Sequence, residues 1–220
     1  INSSSQIQLL LKKYGTCTEE VCDYHMYPIA DNDKPQLSAD RLEYTLRNLI
    51  RYLHKSKEEV ISYYNDLFVS KNEFGIDELT FKTQEIAEKF SLNTLESTKI
   101  YVLDEDRFSM ESLASIMREG LQKGVLSMDD LDTTEPQVIS KLKSDEILNQ
   151  KWSWFCSLHI IQISMEKPKN NEEWINISAK KRFIDPIVFP KKRISSISLK
   201  FCSALDEFKK KSFDYWVKGI

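Results

Sequence analysis

The sequence predicts a mainly α-helical fold with a small antiparallel β-hairpin near its C-terminus. Three observations carry that expectation. Glycine (5 residues) and proline (6) are scarce in a chain of 220, which disfavours a turn-rich all-β architecture. Apolar residues recur at helical spacing as far as Leu158, with capping residues at the starts and glycines at several of the stops. After Leu158 the pattern changes to runs rich in β-branched and aromatic residues, His159–Met165 and Trp174–Phe189, with Lys167–Asn171 as the turn between them.

Taken in order, residues 4–14 read as a helix on Ile7, Leu10, Leu11 and Tyr14, stopped by Gly15. Thr16 and Glu19 have capping-box spacing and open a short helix that ends near His25. Pro28 and Pro35 make the stretch Met26–Leu37 a loop, because each also restricts the residue before it. Ser38 caps a helix whose apolar face is Leu42, Leu46, Leu49 and Leu53. Ser56 and Glu59 open another, carried by Val60, Ile61, Tyr64, Leu67 and Phe68 and closed by Gly75. A long helix is expected from about Thr80 to Leu103, with Ile86, Phe90, Leu95 and Tyr101 inward. The next is expected from Ser109 to Gly124, with Leu113, Ile116, Met117 and Leu121 inward. Two shorter helices, 135–142 and 145–158, follow a turn at Ser127–Pro136, and the amphipathic stretch 199–217 reads as a last helix. The shift near Leu158 is the candidate boundary, giving a helical body of residues 1–158 and an appendage of residues 159–220.

Composition excludes several function classes. A net charge of -3 with 30% charged residues gives no broad basic field for a nucleic-acid duplex. No apolar run reaches the roughly 18–20 residues that span a bilayer, and the first residues lack the basic and cleavage features of a signal peptide. Cys17, Cys22, Cys156 and Cys202 are dispersed and are read as reduced thiols of a cytoplasmic protein. P-loop, GxGxxG, GxSxG, HExxH and paired CxxC motifs are all missing.

The chemistry-bearing stretch is Tyr24–Asn48. It places His25 beside an acidic loop (Asp31, Asp33), then Asp40 and Arg41 in the first turn of a helix. Unpaired N–H groups and the positive end of the dipole gather at a helix start, so Asp40 there can stabilise the helix, ligate a cation, or do both. Arg41 can pair with a neighbouring carboxylate or hold a phosphate with its planar fork. Asp31 and Asp33 are turn formers that can also approach a metal through water. His54 is expected at a helix end and His159 at the start of a strand. A second feature is a pair of basic clusters, Lys180–Arg182 and Lys191–Arg193; on a strand Lys180 and Arg182 share a face. They read either as a phosphate-binding patch or as a charged strand edge. Trp152 and Phe155 share a helical face with Leu148 and are expected to pack rather than stack on a base.

The string PQLSADRLEYTL, with Ala39, Asp40, Arg41, Leu42, Glu43 and Tyr44 at its centre, resembles the last motif of the HD-domain superfamily of metal-dependent phosphohydrolases, as found in bacteria. The close match covers about twenty residues, with weaker similarity along the following helices and at the segment around Phe183 and Asp185. The resemblance implies a helical HD-like bundle, a divalent metal ion (Mn, Mg, Fe, Ni or Zn), and hydrolysis of a phosphorylated small molecule, plausibly a nucleotide. By that likeness Asp40 is the terminal metal ligand, and Arg41 positions phosphate or orients Asp40. Tyr44 lines the pocket one turn on, and His25, Lys180 and Arg182 are candidates for substrate contact. None of the three histidines (His25, His54, His159) is followed by Asp. The expectation is therefore that the chain is the C-terminal part of such a protein, with the H and HD elements upstream of Ile1. Self-association is compatible with the resemblance, and no residue marks an interface. The alternative is a non-catalytic helical module that binds a nucleotide or a protein and keeps the HD shape without the full metal set.

Overall fold

The computed structural model describes residues 1–169 and 174–220. The fold is mainly α-helical, with a small antiparallel sheet near the C-terminus, as the sequence predicts. Helix α1 (Ser5–Tyr14) is capped by the Ser4 side chain and ends on Gly15 at φ 66°. Helix α2 (Thr18–Cys22) starts two residues later than Thr16. Cys17 is the cap residue, and Glu20 rather than Glu19 accepts its backbone N–H at 3.0 Å. A single 3-10 turn, Tyr24–Met26, precedes the loop. Helix α3 (Ala39–Leu53) follows, capped by Ser38 and closed by His54 at φ 51°. Helix α4 (Lys57–Asn65) is capped by Ser56 as predicted but ends at Asn65, ten residues before the expected stop at Gly75.

The difference lies in a hairpin the helical spacing conceals. Strands β1 (Leu67–Lys71) and β2 (Asp77–Phe81) pair antiparallel, Leu67 opposite Phe81 and Lys71 opposite Asp77. Asn72 fixes the turn, its Oδ1 accepting the N–H groups of Phe74 (2.9 Å) and Ile76 (3.0 Å). Gly75 supplies the left-handed residue, φ 78°, that this turn needs. Thr80 consequently belongs to a strand, and helix α5 runs from Gln84 to Ile100. Tyr101 falls beyond it and is exposed rather than inward. Helix α6 (Asp104–Gln122) begins five residues before Ser109. A 3-10 turn (Met128–Asp132), α7 (Glu135–Ser144) and α8 (Glu146–Ser157) follow, the last capped by Asp145.

Three short strands come next, β3 (Ile161–Ser164), β4 (Ile175–Asn176) and β5 (Ile187–Val188), then β6 (Lys192–Arg193), α9 (Ile194–Ile197), α10 (Leu199–Lys210) and β7 (Trp216–Gly219). The expected turn Lys167–Asn171 runs into residues 170–173, outside the described ones. β3 and β4 each pair with β7, which lies between them. The last predicted helix is therefore shorter than 199–217: it ends at Lys210, and Trp216 and Val217 enter the sheet in β7.

The chain forms two compact units, and they do not divide at Leu158. The first comprises residues 1–98 and 181–211, the second residues 99–180 and 212–220. In the first, a sheet of order β1-β2-β5-β6 supports a core that includes Leu37, Leu49, Tyr63, Phe81, Phe90, Ile187 and Phe201. Phe90 packs edge-on to Tyr63 at 5.6 Å and beside Phe81 at 5.1 Å between ring centroids. In the second, Ile116, Leu126, Leu142 and Leu148 form a buried cluster with Trp152 and Phe155 packed against it, as their helical face predicts. Gly219 is a close approach: a Cβ there would lie 2.6 Å from the Phe108 ring and 2.8 Å from Leu158. Among the described residues no helix is long and apolar enough to cross a membrane.

Candidate functional site

The loop before α3 is built from backbone and side-chain hydrogen bonds that leave the start of the helix saturated. Ser38 Oγ accepts the Arg41 N–H at 3.3 Å, the standard capping bond. Two further orphan donors of the first turn are taken by the loop itself: Ala39 N–H donates to Ile29 O at 2.7 Å and Asp40 N–H to Ala30 O at 3.1 Å. The helix start is thus closed to an external anion, and Asp40 is not needed as a cap.

Asp40 is exposed. Among the described residues no hydrogen bond or ion pair engages its carboxylate. Its backbone is held at N–H, and its charge sits at the favourable end of the helix dipole. Both oxygens therefore remain open to a cation. Tyr44, one turn on along the same face, is half-buried.

Arg41 points the other way. It is buried, 7% exposed, and its donors go to the loop: Nε to Gln36 O at 2.9 Å, Nη2 to Asn32 O and Asn32 Oδ1, with Asp31 Oδ1 at 3.4 Å. The fork that resemblance assigned to phosphate is engaged by backbone and loop acceptors. Asn32, which the sequence reading did not single out, is the centre of the loop; its Nδ2 donates to Pro28 O at 2.9 Å and to Leu37 O at 3.3 Å. Asp31 acts as a turn former, its Oδ1 accepting the Asn32 N–H at 2.8 Å and the Ser38 hydroxyl at 3.5 Å.

A second group the sequence reading missed holds the same loop from the sheet. Glu78 on β2 is fully buried, and its Oε1 accepts the Leu37 N–H at 3.2 Å. Arg193 Nη1 donates to Glu78 Oε1 at 2.6 Å, Arg193 Nη2 to Glu78 Oε2 at 2.9 Å, and Asn72 Nδ2 to Glu78 Oε2 at 3.2 Å. Glu73 completes the pairing with bonds of 2.9–3.0 Å from the same guanidinium. Burial pushes the Arg193 guanidinium down, but the bonds and charges of Glu78 and then Glu73 outweigh it, so its pKa is raised overall. Arg193 is therefore a structural cation, not the free end of a phosphate-binding cluster. No local signal marks Glu78: in the alternation of β2, Leu79 and Phe81 would take the apolar face, yet the fold buries Glu78 with Thr80, where a carboxylate must be paired.

The remaining predicted residues lie apart from this group. His25 is exposed in the 3-10 turn, its Nδ1 2.9 Å from Asp23 Oδ1, a contact that holds the Asp23 carboxyl below its usual range. Lys180 and Arg182 are exposed, Lys180 in the second unit and Arg182 in the first. Residues 177–186 are not in a strand, so the shared face expected for Lys180 and Arg182 does not form. Lys181 Nζ donates to Lys209 O. Cys17, Cys22, Cys156 and Cys202 are free thiols. Among the described residues no three His, Cys, Asp or Glu side chains gather as a metal site. Asp40 is thus a single exposed carboxylate, and the described residues gather no ligand set around it.

Comparison with known proteins adds a relative and no function. No family model matches the chain, and no solved structure matches it. The chain is similar to the uncharacterized protein YdhJ of Bacillus subtilis (strain 168), with 28% identity over 190 residues. The match covers 84% of this chain and 55% of YdhJ, so the chain spans little more than half the length of that relative.

Proposed function

We propose that this chain contributes Asp40 as one ligand of a divalent metal site in a phosphohydrolase of the HD type. The observation that carries the reading is the joint one at α3. The six residues Ala39–Tyr44 match the last HD motif, and the Asp40 carboxylate stands exposed and unengaged on a backbone already fixed by Ile29, Ala30 and Ser38. A carboxylate that neither caps nor pairs, at a rigid position, is suited to ligation. The reading requires further ligands from outside the described residues, and Mn, Mg, Fe, Ni and Zn all suit a mixed imidazole and carboxylate set. A phosphorylated small molecule, plausibly a nucleotide, is the substrate class, and the cytoplasm is the compartment in which four free thiols persist. Within this chain Asp40 binds and Tyr44 lines the approach, while Arg41 acts indirectly by holding the loop that precedes Asp40.

The test is Asp40→Ala in the natural full-length protein, with bound metal and phosphate release from nucleotides measured together. Loss of both is expected. Retention of both would remove Asp40 from the site. A second reading has its own support in the engaged Arg41 fork and the incomplete ligand set: a non-catalytic helical module that binds a nucleotide or protein. Thermal stabilisation by nucleotides with neither bound metal nor turnover would favour it.

A further inference from the structure

We propose that Glu78 is a positioning residue for Asp40, a role that rests on the metal-ligand reading above. The exit of the loop is held at two points by the sheet side of the first unit. Leu37 N–H donates to Glu78 Oε1 at 3.2 Å, and Pro35 O accepts the Asp185 N–H at 2.9 Å. Arg193 ties the two points together, because the same Nη1 that donates to Glu78 Oε1 at 2.6 Å also donates to Asp185 O at 3.0 Å. Asp185 is itself fixed by Ser195, whose N–H and hydroxyl reach its two oxygens at 2.9 and 2.6 Å. Leu37 immediately precedes the Ser38 cap, so the direction in which α3 leaves, and with it the place of Asp40, is set from Glu78.

The chemistry distinguishes this from simple stabilisation. A buried ion pair is often no more stabilising than well-packed apolar residues of similar volume. Glu78 is 0% exposed, yet it is the acceptor for a specific loop N–H. An apolar pair would fill the space and could not accept that proton. What the carboxylate adds is therefore a fixed register between β2 and the first turn of α3.

The experiment uses the natural full-length protein, with Mn(II) affinity and amide hydrogen exchange as readouts. The double variant Glu78→Leu/Arg193→Met removes the acceptor without leaving a lone buried charge, and Glu78→Gln keeps an acceptor oxygen. For the double variant the expected result is a small fall in melting temperature from the unsatisfied Leu37 N–H, faster exchange confined to Leu37, Ala39 and Asp40, and Mn(II) binding weaker by roughly 10-fold, the usual cost of disturbing groups that orient a ligand. Glu78→Gln is expected to restore affinity and exchange to those of the parent. Slow exchange at Leu37 and parental affinity in the double variant would overturn the proposal. A large loss of melting temperature with exchange raised throughout the first unit would do so too, since that is the mark of a purely structural role. Asp40→Ala, measured beside them, separates the two readings. If it leaves Mn(II) affinity unchanged the metal reading fails, and the local exchange pattern alone then decides whether Glu78 sets the loop.

Discussion

The two compact units of this chain are held in different ways. The second gathers Ile116, Leu126, Leu142 and Leu148 from neighbouring helices and turns into a wholly apolar cluster. The first has an apolar core too, but the part that carries Asp40 is fixed by buried polar groups: Arg41 and Asn32 within the loop, Glu78 and Arg193 from the sheet. Apolar contact is non-directional and tolerates small shifts. A charged hydrogen bond fixes direction, and a buried one left without its partner is costly. The second unit has a buried polar group as well, Arg107, which donates to Asp104 and Ile177 O, so the contrast is between its apolar cluster and the loop that precedes Asp40.

The largest expected effect tests the apolar side. Leu148→Ala should destabilise the second unit by about 4 kcal/mol, within the range for truncating a fully buried leucine into a packed cluster. All four tryptophans lie in that unit, so urea unfolding followed by tryptophan fluorescence reads it directly. A loss below about 1 kcal/mol would mean that the cluster relaxes to fill the space, and the contrast would weaken. On the polar side, Glu78→Ala should cost about 3 kcal/mol, because it strips the partners of Leu37 N–H and Asn72 and leaves Arg193 with Glu73 and the Asp185 carbonyl. The first unit contains no tryptophan, so far-UV circular dichroism in urea is the measurement. A cost under about 0.5 kcal/mol, the scale of an ordinary surface change, would show that the buried carboxylate is dispensable to stability.

The sequence made these two kinds of construction unequally legible. Helices α1 and α3 were readable because end signals and apolar period agree over ten or more positions, and α7 and α8 were readable from their apolar pattern. The apolar face of α8 was readable for the same reason. The hairpin β1–β2 was not, because Leu67 and Phe68 continue the helical spacing of Val60 and Tyr64, and Gly75 serves as a helix stop or a turn residue equally well. Asn72, through its side-chain bonds to the turn, decides between them. The placing of Asp40 in the first turn of α3 was readable from the Ser38 cap. The direction of Arg41 was not, since nothing local says whether a guanidinium faces outward or back onto its loop. Glu78 and Arg193 lie 115 positions apart. Arg193 reads locally as part of a basic cluster and Glu78 as an ordinary charge between two expected helices, and only the fold makes them a pair.

The smallest expected effect tests one polar fastening of the second unit. Asp130 is buried at 6% exposure in the 3-10 turn, 2.6 Å from Lys141 Nζ, and its Oδ2 accepts the Ser127 N–H at 2.8 Å. Lys141 first, and then the Ser127 N–H, hold its carboxyl down from an ordinary 3.8 to about 2. A carboxyl lowered on folding stabilises the folded state fully above its unfolded pKa, and that contribution is lost as protons bind. It should thus be present above about pH 4 and disappear as pH falls towards 2. Thermal unfolding followed by tryptophan fluorescence at pH 5 and pH 3 should show a larger drop for the parent than for Asp130→Asn, which has no proton to take up. Parallel drops in the two proteins would mean that this corner adds no pH dependence. The buried polar fastening of the second unit would then be Arg107, held by Asp104 and Ile177 O, and the corner at Asp130 would stand on apolar packing.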